Sequence, residues 1–161
     1  MQKLHYAELN ASDKRLVDAA RGARERAHAQ HSQFQVGAAA RYGSKVVLGC
    51  NVESDVYGLT NCAERTAVFA AHASGAAKGS FTALAVIADT PVPVAPCGAC
   101  RQVLIEKGGP QLRVIMANTR GDIAIATAAD LLPGWFRLDA RDAAPRKTAR
   151  NPAQQKKRSK R

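Results

Sequence analysis

The stretch FTALAVIA, Phe81 to Ala88, is a nearly continuous apolar run without a charge. Strands with one wet face alternate apolar and polar residues, so an unbroken run of this length reads as a central strand. Upstream, Leu16, Ala19, Ala20, Ala23 and Ala27 recur at helical spacing, and Asn10 or Ser12 can cap a helix running to about His28. FQVGAAAR and KVVLGC, joined by Tyr42-Gly43-Ser44, predict a hairpin. A second helix is expected over NCAERTAVFAAHASG, Asn61 to Gly75, stopping at the glycine. DTPVPVAP holds three prolines and cannot be a central strand. CGACRQVLIEK follows as a helix closed by Gly108-Gly109-Pro110, and a last short helix spans roughly Ala128 to Leu132.

Between those two helices, LRVIMA and IAIA are strands on either side of NTRGD. A parallel crossover needs a dozen or more residues, so these two strands must be antiparallel. The apolar share is 46%, much of it alanine, and aromatic residues make up only 5%. A core of this kind is thin and closely packed, and self-association is a natural way to bury more surface.

The net charge of +11 on 161 residues invites a nucleic-acid reading. Its distribution argues otherwise. Residues 1–138 carry 15 basic against 11 acidic side chains, while residues 139–161 carry 9 against 2. The sequence therefore divides into a body, 1–138, and a basic tail, 139–161, whose lack of large apolar side chains predicts disorder. Binding of nucleic acid by KKRSKR is the less favoured reading of that tail. MQKLHYAELN has no apolar run of the signal-peptide kind, and no stretch is long enough to span a membrane, so the expected location is the cytoplasm.

Four cysteines are too few for a disulfide scaffold, and Cys97 and Cys100 form a C-x-x-C pair of the kind used for metal or redox chemistry. Cys62 opens one helix, and Cys97 and Cys100 fall in the first turn of another. Exposed N–H groups there favour thiolates. Three thiolates brought together call for a cation, and zinc held by three cysteines keeps a fourth tetrahedral position for water, which loses a proton near neutral pH. Glu64 can take and pass on that proton. Arg65, on the helical face of Cys62, can offset the negative charge of the sulfurs, with Arg101 assisting. On a regular helix, residues two apart point to nearly opposite sides, so Cys62 and Glu64 converge only if Cys62 sits at the very start.

These residues resemble the zinc-dependent nucleobase deaminases, whose signature stands here as Cys62-Ala63-Glu64 and Pro96-Cys97-Gly98-Ala99-Cys100. More closely, FQVGAAA, GCNVES, YGLTNCAERTAVF, PCGACRQVL and LLPGWF follow in order the pattern of the small homotetrameric cytidine deaminases. The resemblance implies a three-layer α-β-α fold with a mixed five-stranded sheet. It implies one Zn2+ per subunit on Cys62, Cys97 and Cys100. Glu64 would be the proton shuttle, with metal-held hydroxide attacking C4 of cytidine or deoxycytidine in pyrimidine salvage. Asn51 and Glu53 would hold the ribose hydroxyls, Phe34 would pack on the pyrimidine, and the Ala63 backbone would touch the base. Tyr57 and Phe136 would complete a neighbouring subunit's site. Ser54, Asp55 and His31 depart from common family residues and bear on fine substrate preference.

Three rivals stand beside this reading. A modified aminopyrimidine nucleoside could replace cytidine as substrate. A structural four-cysteine site would recruit Cys50, which on the main reading merely ends a strand. Polynucleotide editing would fit the charge, but as the wider superfamily is known it calls for parallel final strands, against the short NTRGD connection. The pair His28 and His31 falls where a helix ends and lacks acidic partners, and is read as a surface pair.

Overall fold

The computed structural model describes residues 1–138. Its elements in order are β1 (Gln2–His5), α1 (Ala11–Arg24), β2 (Val36–Tyr42), β3 (Lys45–Cys50), α2 (Ala63–Ala73), β4 (Phe81–Ala88), α3 (Gly98–Gly108), β5 (Arg113–Asn118), β6 (Asp122–Thr127) and α4 (Ala128–Leu131). The expected disorder of 139–161 lies outside the described residues. The strands form one mixed sheet in the order β1-β6-β5-β4-β2-β3. Only β4 and β5 are parallel; β5 and β6 run antiparallel across their short connection, as its length requires.

Period-two alternation sorts the sheet's side chains into two cores. Ala39, Ala83, Ala85, Ile87, Ile115 and Ile123 face α1, where Leu16, Val17 and Ala20 cover them. Ala38, Ala40, Leu84, Val86, Val114 and Met116 face the opposite layer, with Ala67, Val68 and Ala71 of α2 and Leu104 and Ile105 of α3. Helices on both faces of the sheet make the three layers. β4 lies between β5 and β2, and of its residues only Thr82 is exposed. The unbroken apolar run is thus explained by cover on both faces.

The sheet has six strands, not the expected five. The extra one is β1, which pairs antiparallel with β6 from Gln2↔Ile125 to His5↔Asp122. Its side chains are almost all exposed. A polar edge strand held by backbone bonds leaves no apolar pattern to read. Helix α1 is capped by Asn10, whose side chain accepts from the Asp13 N–H, and it stops at Arg24, short of His28. There the chain turns to pair instead: the His28 N–H donates to the Asn51 carbonyl at 2.9 Å.

Two glycines bring backbones together. A Cβ at Gly49 on β3 would stand 2.3 Å from the Ala63 carbonyl, and one at Gly37 on β2 would stand 2.1 Å from the Ala20 carbonyl. The first contact seats the start of α2 directly on the sheet. At the other end of the strands Asp13 is buried between Arg113, at 2.9 Å, and Arg41, at 3.7 Å. A carboxylate removed from water needs such partners. Among the described residues no helix is long and apolar enough to cross a membrane.

Candidate active site

Helices α2 and α3 begin side by side, and a cysteine stands at the N-cap of each. Cys62 (φ −76°, ψ 154°) and Cys97 (φ −65°, ψ 166°) have extended backbones, and neither uses its side chain to cap its helix. Because Cys62 precedes the first helical residue, the helical rule for residues two apart does not separate it from Glu64. Both line one cavity of roughly 210 Å3, together with Ala63, Phe34, Asn51 and Glu53. The condition set by the sequence is met.

The sulfurs of Cys62, Cys97 and Cys100 all lie within 4.8 Å of one another, and those of Cys62 and Cys97 are 3.8 Å apart. A tetrahedral zinc with Zn–S bonds of about 2.3 Å sets its sulfurs about 3.8 Å apart, so the three fit that ion. Among the described residues this is the one group of three or more side chains able to hold a metal. Cys50 stands elsewhere and donates to the Arg26 carbonyl at 3.2 Å. The four-cysteine alternative therefore loses its fourth ligand. The pair of His28 and His31 was expected to lack acidic partners, but the His31 Nε2 meets Asp55 Oδ1 at 3.2 Å on the surface, a contact that the loop, not the helix end, supplies.

Charge at the sulfurs is arranged by hydrogen bonds. The Cys62 thiol is lowered to about 5 by the hydrogen bond from Cys100 first, then by Arg65 and Cys97. Cys100 is raised for the complementary reason, as the donor to Cys62, and burial adds to it. Arg65 Nη2 lies 3.6 Å from Cys62 Sγ and donates to the Thr60 carbonyl at 3.2 Å. Arg101 does something else. Its Nε donates to the Pro96 carbonyl at 2.7 Å and its Nη1 to the Leu131 carbonyl at 3.1 Å, bracing the loop before Cys97 against α4.

Glu64 is only 4% exposed, and burial pushes its carboxyl up to about 7, with the Cys62 charge adding to the rise. Glu53 goes the other way. The Ser32 hydroxyl first, then the backbone N–H groups of His31 and Ser32, hold it below the usual carboxylate range. The amide of Asn51 is tied into the wall, donating to the Phe34 carbonyl and accepting from the Val36 N–H, both at 2.8 Å. An amide has two donors and two lone pairs, so one of each is left over.

Tyr57 and Phe136 are not brought into this cavity. Tyr57, 75% exposed, lines a separate depression with His31, Ser32, Glu53 and Thr60, and meets the His31 ring edge-on at 5.6 Å between centroids. Phe136, 65% exposed, borders a third hollow near Lys107 and Trp135. Its backbone is held by Gln102, whose Nε2 donates to the Phe136 carbonyl at 2.9 Å. Sequence reasoning passed over Ser32, Thr60 and Gln102. A hydroxyl or an amide in no recurring pattern has no signal until its partner is known.

A sequence model of the cytidine and deoxycytidylate deaminase zinc-binding region matches residues 10–117. The chain belongs to the cytidine deaminase family. The cytidine deaminase of Sporosarcina psychrophila is 49% identical over 125 residues, 76% of this chain and 90% of that one. The cytidine deaminase of Halalkalibacterium halodurans is 50% identical over 123 residues, 75% and 91% of the two chains. The crystal structure of cytidine deaminase from Burkholderia pseudomallei superposes with a TM-score of 0.76 at 51% identity, covering 80% of this chain and all of that one. The zinc-binding region of this cytidine deaminase family contains all three clustered cysteines but stops short of Phe136.

Proposed function

We propose that this chain is a zinc-dependent hydrolase that converts cytidine and 2′-deoxycytidine to the uracil nucleosides with release of ammonia, a step of pyrimidine salvage. The observation that carries the reading is the buried Glu64, held up to about 7, in one cavity with two of the three clustered sulfurs. Cys62, Cys97 and Cys100 would hold the ion. Zinc, when bound there, supplies the Lewis acidity that readies a water for attack at C4 of the ring.

The chain's own residues do the rest. Glu64, poised near neutrality, carries one proton of that water to N3 and then the second, from the new C4 hydroxyl, to the departing amine. Arg65 tempers the charge of the sulfurs, since three thiolates would otherwise leave the ion a poor acid. The half-exposed ring of Phe34 covers the pyrimidine, the Ala63 backbone meets its polar edge, and Glu53 with Asn51 takes the sugar hydroxyls. Tyr57 and Phe136, exposed on the single chain, would serve a neighbouring subunit of a tetramer. Residues 1–138 carry this machinery in a cytoplasmic enzyme, and none of the residues assigned to it falls in 139–161.

An ultraviolet assay over cytidine, deoxycytidine, their nucleotides, free cytosine and a cytosine-containing oligonucleotide tests the proposal. Turnover should be confined to the nucleosides. Turnover of free cytosine or of the oligonucleotide in preference to cytidine would overturn it.

A further inference from the structure

Glu53 already has most of its acceptor capacity in use. A carboxylate offers about four lone-pair positions. Here Oε2 accepts from the His31 N–H at 2.7 Å and the Ser32 N–H at 3.2 Å, and Oε1 accepts from the Ser32 hydroxyl. One position on Oε1 is left for an arriving sugar hydroxyl. The carboxylate therefore meets its substrate in a fixed orientation, and that orientation comes from one short segment, 31–32.

The Ser32 hydroxyl has a second partner. With its proton given to Glu53, it accepts from the Phe34 N–H at 3.0 Å. The Phe34 carbonyl is in turn held by Asn51 at 2.8 Å. The peptide groups flanking the aromatic ring are thus gripped from both sides, by Ser32 before it and Asn51 after it. Between Ser32 and Phe34 sits Gln33 at φ 57°, the one non-glycine residue with positive φ among the described residues. Such a backbone is costly and persists where its surroundings impose it. The Gln33 N–H donates to the Ala29 carbonyl at 2.9 Å, and its side chain donates to the Gln30 carbonyl at 2.9 Å. Ser32 also lines both the cavity that contains Glu64 and the adjoining depression that contains Tyr57.

We propose that Ser32 is a positioning residue for this enzyme: its hydroxyl joins the sugar-binding carboxylate of Glu53 to the base-covering segment of Phe34, so that sugar and base are received by one rigid piece. The inference rests on the reading of Glu53 as the sugar-binding group. A serine serving only as a loop brace would make the same bond to Phe34 but would leave the enzyme's response to the sugar unchanged.

The test compares steady-state kinetics of the zinc-loaded full chain on cytidine and on 2′,3′-dideoxycytidine, which has no ring hydroxyl to offer Glu53. In Ser32→Ala, loss of a hydrogen bond to a charged group should raise KM for cytidine about tenfold, with kcat changed less than about threefold. KM for the dideoxy compound should rise much less, so that the gap between the two substrates narrows. Ser32→Cys, of similar shape with a weak donor, should shift the gap in the same direction by a smaller amount. Ser32→Thr, which keeps the hydroxyl, should restore the wild-type gap. An equal rise in KM for both substrates, or no rise in either, overturns the proposal. If the wild-type protein itself shows equal KM for both substrates, the sugar role of Glu53 is what has failed.

Discussion

Glu53 and Glu64 line the same cavity, yet their surroundings drive them apart. Glu64 stands at the start of a helix pressed against the sheet, where burial pushes its carboxyl up to about 7. Glu53 lies in a loop, ringed by donors from His31 and Ser32 that hold its carboxyl down. A group that must both take and give a proton needs the first environment. A group that must stay charged and accept hydrogen bonds needs the second. On the proposed reading the same side chain serves two trades, and the difference is made by exclusion of water at one corner and by the Ser32 hydroxyl, with backbone N–H groups, at the other.

The sharpest way to break this contrast is Glu64→Ala. The variant should keep its zinc by metal analysis and lose about 10²–10⁴ in kcat, the usual worth of a general acid–base group. Retained turnover would mean that another group handles the proton. Glu53→Gln should act on the other axis, raising KM for cytidine about 10- to 100-fold while leaving zinc content and most of kcat intact, because one charged acceptor is weakened.

A smaller effect separates the two carboxyls without substrate. In zinc-free protein Glu64 titrates near 7, against about 4.3 in an unfolded chain. The folded state keeps the proton where the unfolded state has lost it. Its contribution is therefore complete below about pH 4.3, declines as the pH rises toward 7, and is flat beyond. The total is about 4 kcal/mol at most. Glu64→Gln should remove that decline, so denaturant titrations of the two zinc-free proteins should diverge between those pH values, with the variant relatively stronger at high pH. Parallel curves would show that burial does not hold the proton. The smallest effect is expected from deleting residues 143–161, which should leave cytidine turnover about unchanged, since every residue assigned to the site falls within 1–138.

The metal corner was legible because its chemistry demands particular residue types. Thiols at two helix starts with a carboxylate two residues on have few other uses; Cys62, Cys97 and Cys100 were singled out that way and do cluster, with Glu64 in the adjoining cavity. The antiparallel end of the sheet was legible from the length of one connection. The corner proposed for the sugar was named by resemblance, but its construction was hidden. Ser32 looks like any loop serine until Glu53 and Phe34 are seen on either side of its oxygen. Strand β1 was hidden for a related reason, since its pairing with β6 uses only main-chain groups. Arg101 was expected to assist Arg65 at the sulfurs, yet two carbonyls claim its donors.

That last arrangement gives α3 the character of a lever. Its first turn carries two of the sulfurs, and the next two residues, Arg101 and Gln102, fasten Leu131 and Phe136. Leu131 and Phe136 are thus hung, by their carbonyls, from the same helix that presents Cys97 and Cys100. On the proposed reading, the ring meant for a neighbouring subunit is anchored to the sulfur-bearing helix of its own.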